Sequence, residues 1–197
     1  MIGGGKLFVM DTNGTVHAFD AGTGTQVWSQ SFQIKGDGQS SVYGGGASFA
    51  DGRLYVTTGM GEVAALDAGD GKQVWKVKPA GPLRGSPTIA FNSIFVMTQA
   101  NQLISLNAAD GVQQWNRAAS VGQTGVFGVA APAAAAGTVI AGFSTGELIA
   151  YRYENGRELW ADALARTPPE GTVLTRAFSG RAGRSIATVV KHATERG

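Results

Sequence analysis

The sequence is dominated by a repeat of about 44 residues that ends each time on a tryptophan. Four segments of 22 residues align without a gap and end on the chain's four tryptophans; they are 7–28, 54–75, 94–115 and 139–160, ending on Trp28, Trp75, Trp115 and Trp160. A period of this length built from short β-rich stretches is typical of propeller blades, because helical repeats of similar length show a period of 3.6 residues.

Each repeat is interpreted as a set of four short strands. In the second repeat the pattern predicts strands at 54–58, 63–67 and 73–76, separated by glycine-containing turns. The linker 85–91 supplies a fourth strand, with Pro87 expected at its start because an interior proline loses a ladder hydrogen bond. Four strands per unit predict an all-β fold of about four antiparallel propeller blades.

The second half of each repeat carries a docking motif of a small residue, an Asp or Asn, a glycine and the tryptophan. The small residue leaves room for an indole of the neighbouring blade, the Asx side chain bonds the turn, and the glycine closes it. We expect the tryptophans to be packing residues, each burying roughly 150–250 Å². The remaining predicted docking residues are Asp20, Asp67, Gly24, Gly71, Gly111 and Gly156, while Asn107 and Arg152 replace the Asp in the last two repeats.

The repeats are expected to occupy residues 1–163, with a partial first blade at 1–32 followed by three blades. Strands such as 63–66 are apolar on both sides, which predicts neighbours on both faces. Four blades with two uncovered end faces predict an open arc. Residues 164–197 form a basic tail with six Lys or Arg against two Asp or Glu, and Ile186, Val189, Val190 and Ala193 follow the spacing of one short helix.

Composition and motif spacing argue against several classes of function. The blades carry ten Lys or Arg against twelve Asp or Glu, so they offer no basic surface for nucleic acid. The chain has no cysteine, and His17 and His192 lie far apart without paired carboxylates. The segment 67–72 lacks both the EF-hand ligand pattern and the P-loop pattern, and 44–46 precedes a strand. We therefore expect no catalytic, cofactor or metal site.

The docking repeat resembles that of PQQ-dependent alcohol dehydrogenases, and the blade sequences are more similar to the BamB family over about residues 1–167. The resemblance implies a scaffold without quinone, on the periplasmic face of the outer membrane, that binds the barrel-forming subunit BamA. Members have eight blades, of which this chain would hold about half. The signal peptide and lipidated cysteine of the family are absent from this chain.

In that family a loop of Leu-Arg-Gly followed by a proline contacts the partner. By position the loop corresponds to Val126, Phe127 and Gly128, with Pro132 as the proline. Phenylalanine replaces the family's arginine, so the resemblance implies an apolar anchor instead of an ion pair. The other interpretation of Phe127 is a buried side chain between blades, and both remain open at this point.

Two further resemblances concern the alternative functions. The stretch 175–184 resembles a short part of nitronate monooxygenases, which are flavin enzymes, but no strand–helix repeat accompanies it. A fragment of a quinoprotein dehydrogenase is the alternative to the scaffold. That enzyme would need a calcium site, a catalytic Asp and usually a vicinal cysteine pair. The sequence thus favours a protein-binding scaffold that is not an enzyme and has no small-molecule substrate.

Overall fold

The computed structural model describes residues 1–32, 45–83, 85–119 and 131–163. These residues form four sheets of four antiparallel strands each. No helix long and apolar enough to span a bilayer occurs in these ranges. The four sheets correspond to the four repeats, so the all-β propeller fold predicted from the sequence is confirmed.

The first two blades follow the chain as simple meanders, each strand pairing with the next. Blade 1 contains β1 (Ile2–Gly3), β2 (Lys6–Met10), β3 (Thr15–Asp20) and β4 (Gln26–Ser31). Blade 2 contains β5 (Gly45–Ala50), β6 (Arg53–Thr58), β7 (Val63–Asp67) and β8 (Gln73–Val77). The first blade, expected to be partial, has all four strands, although β1 comprises two residues where β5 comprises six.

The last two blades repeat the same order. Blade 3 contains β9 (Thr88–Ala90), β10 (Ser93–Met97), β11 (Gln102–Asn107) and β12 (Gln113–Ala118). Blade 4 contains β13 (Ala133–Ala135), β14 (Thr138–Gly142), β15 (Glu147–Arg152) and β16 (Glu158–Ala163). Pro87 immediately precedes β9, which confirms the placement predicted for it, because this proline takes no position in the ladder.

A shared irregularity marks the outer pair of strands in every blade. The small residue of the motif lies directly opposite the tryptophan, and the register shifts immediately after it. The four pairs are Ala18 with Trp28, Ala65 with Trp75, Ser105 with Trp115 and Ala150 with Trp160. A bulge at a fixed position adds local twist. Each blade therefore presents its tryptophan in the same way.

The hydrophobic cores lie between blades. The first core joins Phe8 and Val16 of blade 1 to Leu54 and Leu66 of blade 2, and the next two cores join blades 2 and 3 and blades 3 and 4 in the same way. Both faces of β7 are therefore buried over 63–66, as the doubly apolar pattern predicted, and both faces of β6 and β10 are buried too. Packing against both neighbours explains why these strands do not alternate between apolar and polar residues.

The innermost strands connect the blades in chain order. β5 contacts β1 and β2, β9 contacts β5, and β13 contacts β9. Side-chain hydroxyls reinforce the steps, since Ser48 Oγ donates to the Pro87 carbonyl at 2.6 Å and Thr88 Oγ1 donates to the Pro132 carbonyl. Over the described ranges the four blades form an open arc, with blade 1 at one end and blade 4 at the other.

Candidate functional site

The tryptophans connect successive blades in one direction along the chain. Each of the first three indoles donates from Nε1 to a turn carbonyl of the following blade: Trp28 to Ala68 at 3.2 Å, Trp75 to Ala108 at 3.2 Å and Trp115 to Tyr153 at 2.7 Å. All three are buried. A buried indole N–H needs such an acceptor, so each bond both satisfies the donor and fixes the angle of the ring.

In blades 1 to 3 the hairpin turn is held by the Asx residue before it, whereas blade 4 has Arg152 at that position. Asp20 Oδ1 accepts from the Thr23 N–H at 2.8 Å and the Gly22 N–H at 3.0 Å, and Asn107 Oδ1 accepts from the Ala109 N–H at 2.8 Å. These donors, the Thr23 N–H foremost, hold the pKa of the Asp20 carboxyl below its usual value. The Asp20 side chain thus holds its turn in shape although no indole lies on that turn.

The glycine of the turn lies directly beneath the incoming ring. Gly71 has φ of +76°, and a Cβ placed there would come within 2.6 Å of the Trp28 ring. Gly111 and Gly156 stand in the same relation to Trp75 and Trp115. Both the left-handed backbone and the close approach of the ring require glycine at these positions.

Among the residues that the structure describes, the two ends of the arc lack this contact. Gly24 has φ of +72° and the same turn, yet a Cβ added there would meet nothing within 4 Å. At the other end Trp160 is 39% exposed, whereas the other three tryptophans are 7–9% exposed. Blade 1 therefore offers a receiving turn without an indole, and blade 4 offers an indole that is not fully buried.

A polar groove of about 480 Å³ lies between blades 3 and 4 and was not predicted from the sequence. Arg117 crosses it, donating to the Gly156 and Asn155 carbonyls at 2.7 and 2.8 Å. Burial, and then the charges of Glu158 and Glu147, raise the pKa of Tyr151 to about 12. Tyr151 is thus protonated at neutral pH and can donate a hydrogen bond but not act as a base.

One polar pair lies on the outer face of blade 1. His17 Nε2 is 3.3 Å from Asp11 Oδ2, while His17 Nδ1 is buried with no hydrogen-bond partner. The hydrogen bond from the Thr15 N–H lowers the pKa of Asp11 most; burial opposes it with a smaller effect, and the hydrogen bond with His17 lowers the pKa further. No group of three or more His, Cys, Asp or Glu that could hold a metal occurs among the described residues.

The predicted partner loop, Val126, Phe127 and Gly128, lies outside the described residues, as does the tail 164–197. The structure brings together the docking residues instead. The groove that the sequence analysis missed contains Arg117 two positions after Trp115, where the other repeats have Gln30, Val77 and Asp162. A position that departs from the repeat is the signal that could have found it.

Comparison with known proteins gives one family and many similar folds. The family model described as outer membrane protein assembly factor BamB matches residues 4–190. BamB from Moraxella catarrhalis has a TM-score of 0.72 at 23% identity, covering 81% of this chain and 46% of that one. Comparison with curated proteins gives no significant match.

Other solved structures share the fold. Quinohemoprotein alcohol dehydrogenase from Comamonas testosteroni has a TM-score of 0.64 at 18% identity, covering 81% of this chain and 33% of that one. The computationally designed protein Ika8 has a TM-score of 0.65 at 15% identity, covering 82% of this chain and 47% of that one. The chain thus spans half or less of the length of these structures, and at such identities the likeness shows the fold alone.

Proposed function

Because the chain belongs to the family of the outer membrane protein assembly factor BamB, we propose that it is a non-catalytic propeller scaffold that binds a protein partner. The partner is a BamA-like barrel-forming subunit, and the place of action is the periplasmic face of the outer membrane. The match of the family model to residues 4–190 is the observation that carries the proposal. The structural likeness to BamB from Moraxella catarrhalis supports the same fold.

The proposed contact with the partner is the loop containing Val126, Phe127 and Gly128, with Phe127 as an apolar anchor. Aromatic side chains at the centre of an interface account for a large share of binding energy, and truncating such a residue costs about 2 kcal/mol or more. Blades 3 and 4 precede and follow these residues in the chain, and the hydrogen bond from Trp115 to the Tyr153 carbonyl fixes the two blades against each other.

Replacing Phe127 with Ala tests this assignment. We expect the amount of BamA-like subunit retained in a pull-down to fall while the melting temperature stays within a degree or two of the original. Val112→Ala is the control, because Val112 is an exposed apolar residue in a turn that the proposal does not use. A large drop in melting temperature without loss of binding would show Phe127 to be a core residue and would refute the assignment.

A fragment of a PQQ-dependent dehydrogenase remains the second candidate, favoured by the shared fold with quinohemoprotein alcohol dehydrogenase. Calorimetric titration with PQQ in the presence of calcium distinguishes the two candidates. The scaffold proposal predicts no saturable heat. Stoichiometric, calcium-dependent binding would overturn it.

A further inference from the structure

The polar groove between blades 3 and 4 lies where a lysine occupies the interface between blades 1 and 2. Lys76 directly follows the tryptophan of blade 2, and Ala161, which lines the groove, directly follows that of blade 4. In both ladders this residue pairs with the one before the small residue of the motif, so the two are structurally equivalent. Ala119 likewise lines the groove where blade 1 has the buried Phe32. Two methyl groups therefore stand in place of two large side chains.

The lysine of blade 2 has an acidic partner that blade 4 retains. Lys76 Nζ lies 2.9 Å from Glu62 Oε1. In the aligned repeats Glu147 takes the position of Glu62, whereas Ala161 takes the position of Lys76. Glu158 adds a second carboxylate to the groove at a position where blade 2 has none. The groove thus contains the acidic side of this ion pair without the lysine.

A buried phenol also faces this groove. Tyr151 lines it and is 3% exposed, and its hydroxyl makes no hydrogen bond with the described residues. Because buried polar groups are almost always hydrogen-bonded, this hydroxyl is available to a group that enters the groove. Burial raises the pKa of Tyr151 most, and Glu158 and then Glu147 each raise it by more than Arg117 lowers it. The charges around the hydroxyl therefore favour a cation over an anion.

The basic residue of the groove is already engaged by the protein. Arg117 donates from Nε and Nη2 to the Gly156 and Asn155 carbonyls at 2.7 and 2.8 Å. The Glu158 carboxylate, by contrast, forms no ion pair with a described residue. Glu158 lies opposite Tyr151 in the ladder, so a carboxylate and a phenol oxygen adjoin each other as acceptors. An ammonium group, with three donors, matches such a pair.

We propose that the groove between blades 3 and 4 binds a primary ammonium at the end of an alkyl chain, the group that ends a lysine side chain or an alkyl diamine. The ammonium takes the place that Lys76 Nζ has in blade 2 and donates to Glu158 and to the Tyr151 oxygen. The alkyl chain lies over Ile149 and Ala161, since such stems pack on apolar surface. The volume of about 480 Å³ is within the range of small-molecule sites.

Titration of the isotope-labelled full chain, followed by two-dimensional NMR, tests the proposal. The probes are lysine capped at both backbone ends, putrescine as a free diamine, and capped norleucine, which has the alkyl chain without the ammonium. We expect an amine probe to shift the amide resonances of Arg157 and Ala161 saturably, and capped norleucine to leave them unchanged. Tighter binding of capped lysine would identify the ligand as a protein side chain, and tighter binding of putrescine as a free amine. No shift with either amine, or an equal shift with norleucine, would overturn the proposal.

Two substitutions remove the acceptors without emptying the groove. We expect Glu158→Gln and Tyr151→Phe each to weaken binding of the amine probe by about tenfold, because each deletes a hydrogen bond to a charged group. Glu154→Gln and Tyr153→Phe are the matched controls, since neither residue lines the groove. Unchanged affinity in both test variants, or the same loss in the controls, would contradict the assignment.

A third substitution fills the groove from within the chain. Ala161→Lys places a lysine where blade 2 has Lys76, so we expect the shifts caused by the amine probe to disappear while the melting temperature does not fall. Ser29→Lys is the control, because it adds the same charge at the equivalent exposed position of blade 1. This control should bind the probe as the original chain does. Undiminished binding by the Ala161→Lys chain, or equal loss in both variants, would refute the site.

Discussion

At the scale of single residues, the absence of a side chain at Gly71 allows the Trp28 ring to lie on the turn of blade 2. The Cβ of any other residue would approach that ring within 2.6 Å, and φ of +76° already disfavours it. The two penalties can be separated, because Gly52 has nearly the same φ without a neighbouring atom. This pair of glycines therefore isolates the energy of close packing from the energy of backbone strain.

We predict that Gly52→Ala lowers the free energy of unfolding by roughly 1 kcal/mol through the left-handed backbone alone. Gly71→Ala should lose a further 1–3 kcal/mol or so, because the ring must move. Denaturant-induced unfolding followed by tryptophan fluorescence provides the measurement. Equal losses in the two variants would contradict the close approach.

Tyr151 gives a prediction at alkaline pH. Its pKa is raised from 10.0 to about 12 in the folded protein. Between these values the folded chain keeps a proton that the unfolded chain releases, so stability is present below pH 10 and is lost as pH rises towards 12. Tyr151→Phe should therefore show a shallower loss of stability across this window. The same slope in both proteins would contradict burial of the phenol.

Single residues could be predicted from the sequence where they recur at the same position of each repeat. The docking glycines were visible because Gly24, Gly71, Gly111 and Gly156 recur at one position. Arg117 was not predicted, because it departs from the repeat and its acceptors are backbone carbonyls 38 and 39 residues later, which no residue type identifies. The role of Phe127 stays a prediction, since it lies outside the described residues.

At the scale of elements, the hairpin turn between the two outer strands is the part of a blade that binds the tryptophan of the preceding blade. In blade 1 an aspartate shapes it and in blade 3 an asparagine does so, with the same bond to the N–H two residues later. The two side chains are nearly equal in shape and differ in charge. Blades 1 and 3 therefore allow a turn held by a carboxylate that titrates to be compared with a turn held by an amide that does not.

We predict that Asp20→Asn keeps the turn and removes part of the acid sensitivity. Because the pKa of Asp20 is lowered from 3.8, the stability its carboxylate contributes is present above that value and is lost as pH falls below it. The melting temperature should therefore fall less in the variant than in the original protein between about pH 7 and pH 3. A larger acid-induced fall in the variant would contradict this assignment.

The strands themselves were predictable because their pattern agrees with their packing. The predicted 63–67 strand coincides with β7, and the predicted 54–58 strand with all but the first residue of β6. β1 was not predicted, because two residues of Ile and Gly carry no alternation and form a strand only by pairing with Leu7 and Lys6. Tertiary context decides elements as short as this one.

At the scale of the whole molecule, the described residues bury their large side chains in three separate interfaces between blades. The cores of the first and third interfaces share no residue. In a linear array each unit contacts its neighbours alone, so energies add along the array. This arrangement differs from a single central core, in which every large side chain is coupled to the others.

We predict that Trp28→Phe and Trp115→Phe are additive, with the double variant within about 0.5 kcal/mol of the summed losses. By contrast, Trp115→Phe and Arg117→Ala should couple by about 0.5 kcal/mol or more, because Arg117 lies over the Trp115 ring and bonds the same turn. Equilibrium unfolding of the two double-mutant cycles provides the comparison. Coupling of similar size in both cycles would indicate one shared core.

The forward direction of the indole contacts has a consequence for the order in which the protein is made. Each tryptophan leaves the ribosome before its acceptor, since the bonded carbonyls lie 40, 33 and 38 residues later. At about 5–20 residues per second, each indole waits roughly 2–8 s for the next turn to be synthesised. For most of its synthesis a nascent chain therefore presents one unsatisfied tryptophan near its growing end. In these periods a chaperone that recognises exposed aromatic groups would have access to it.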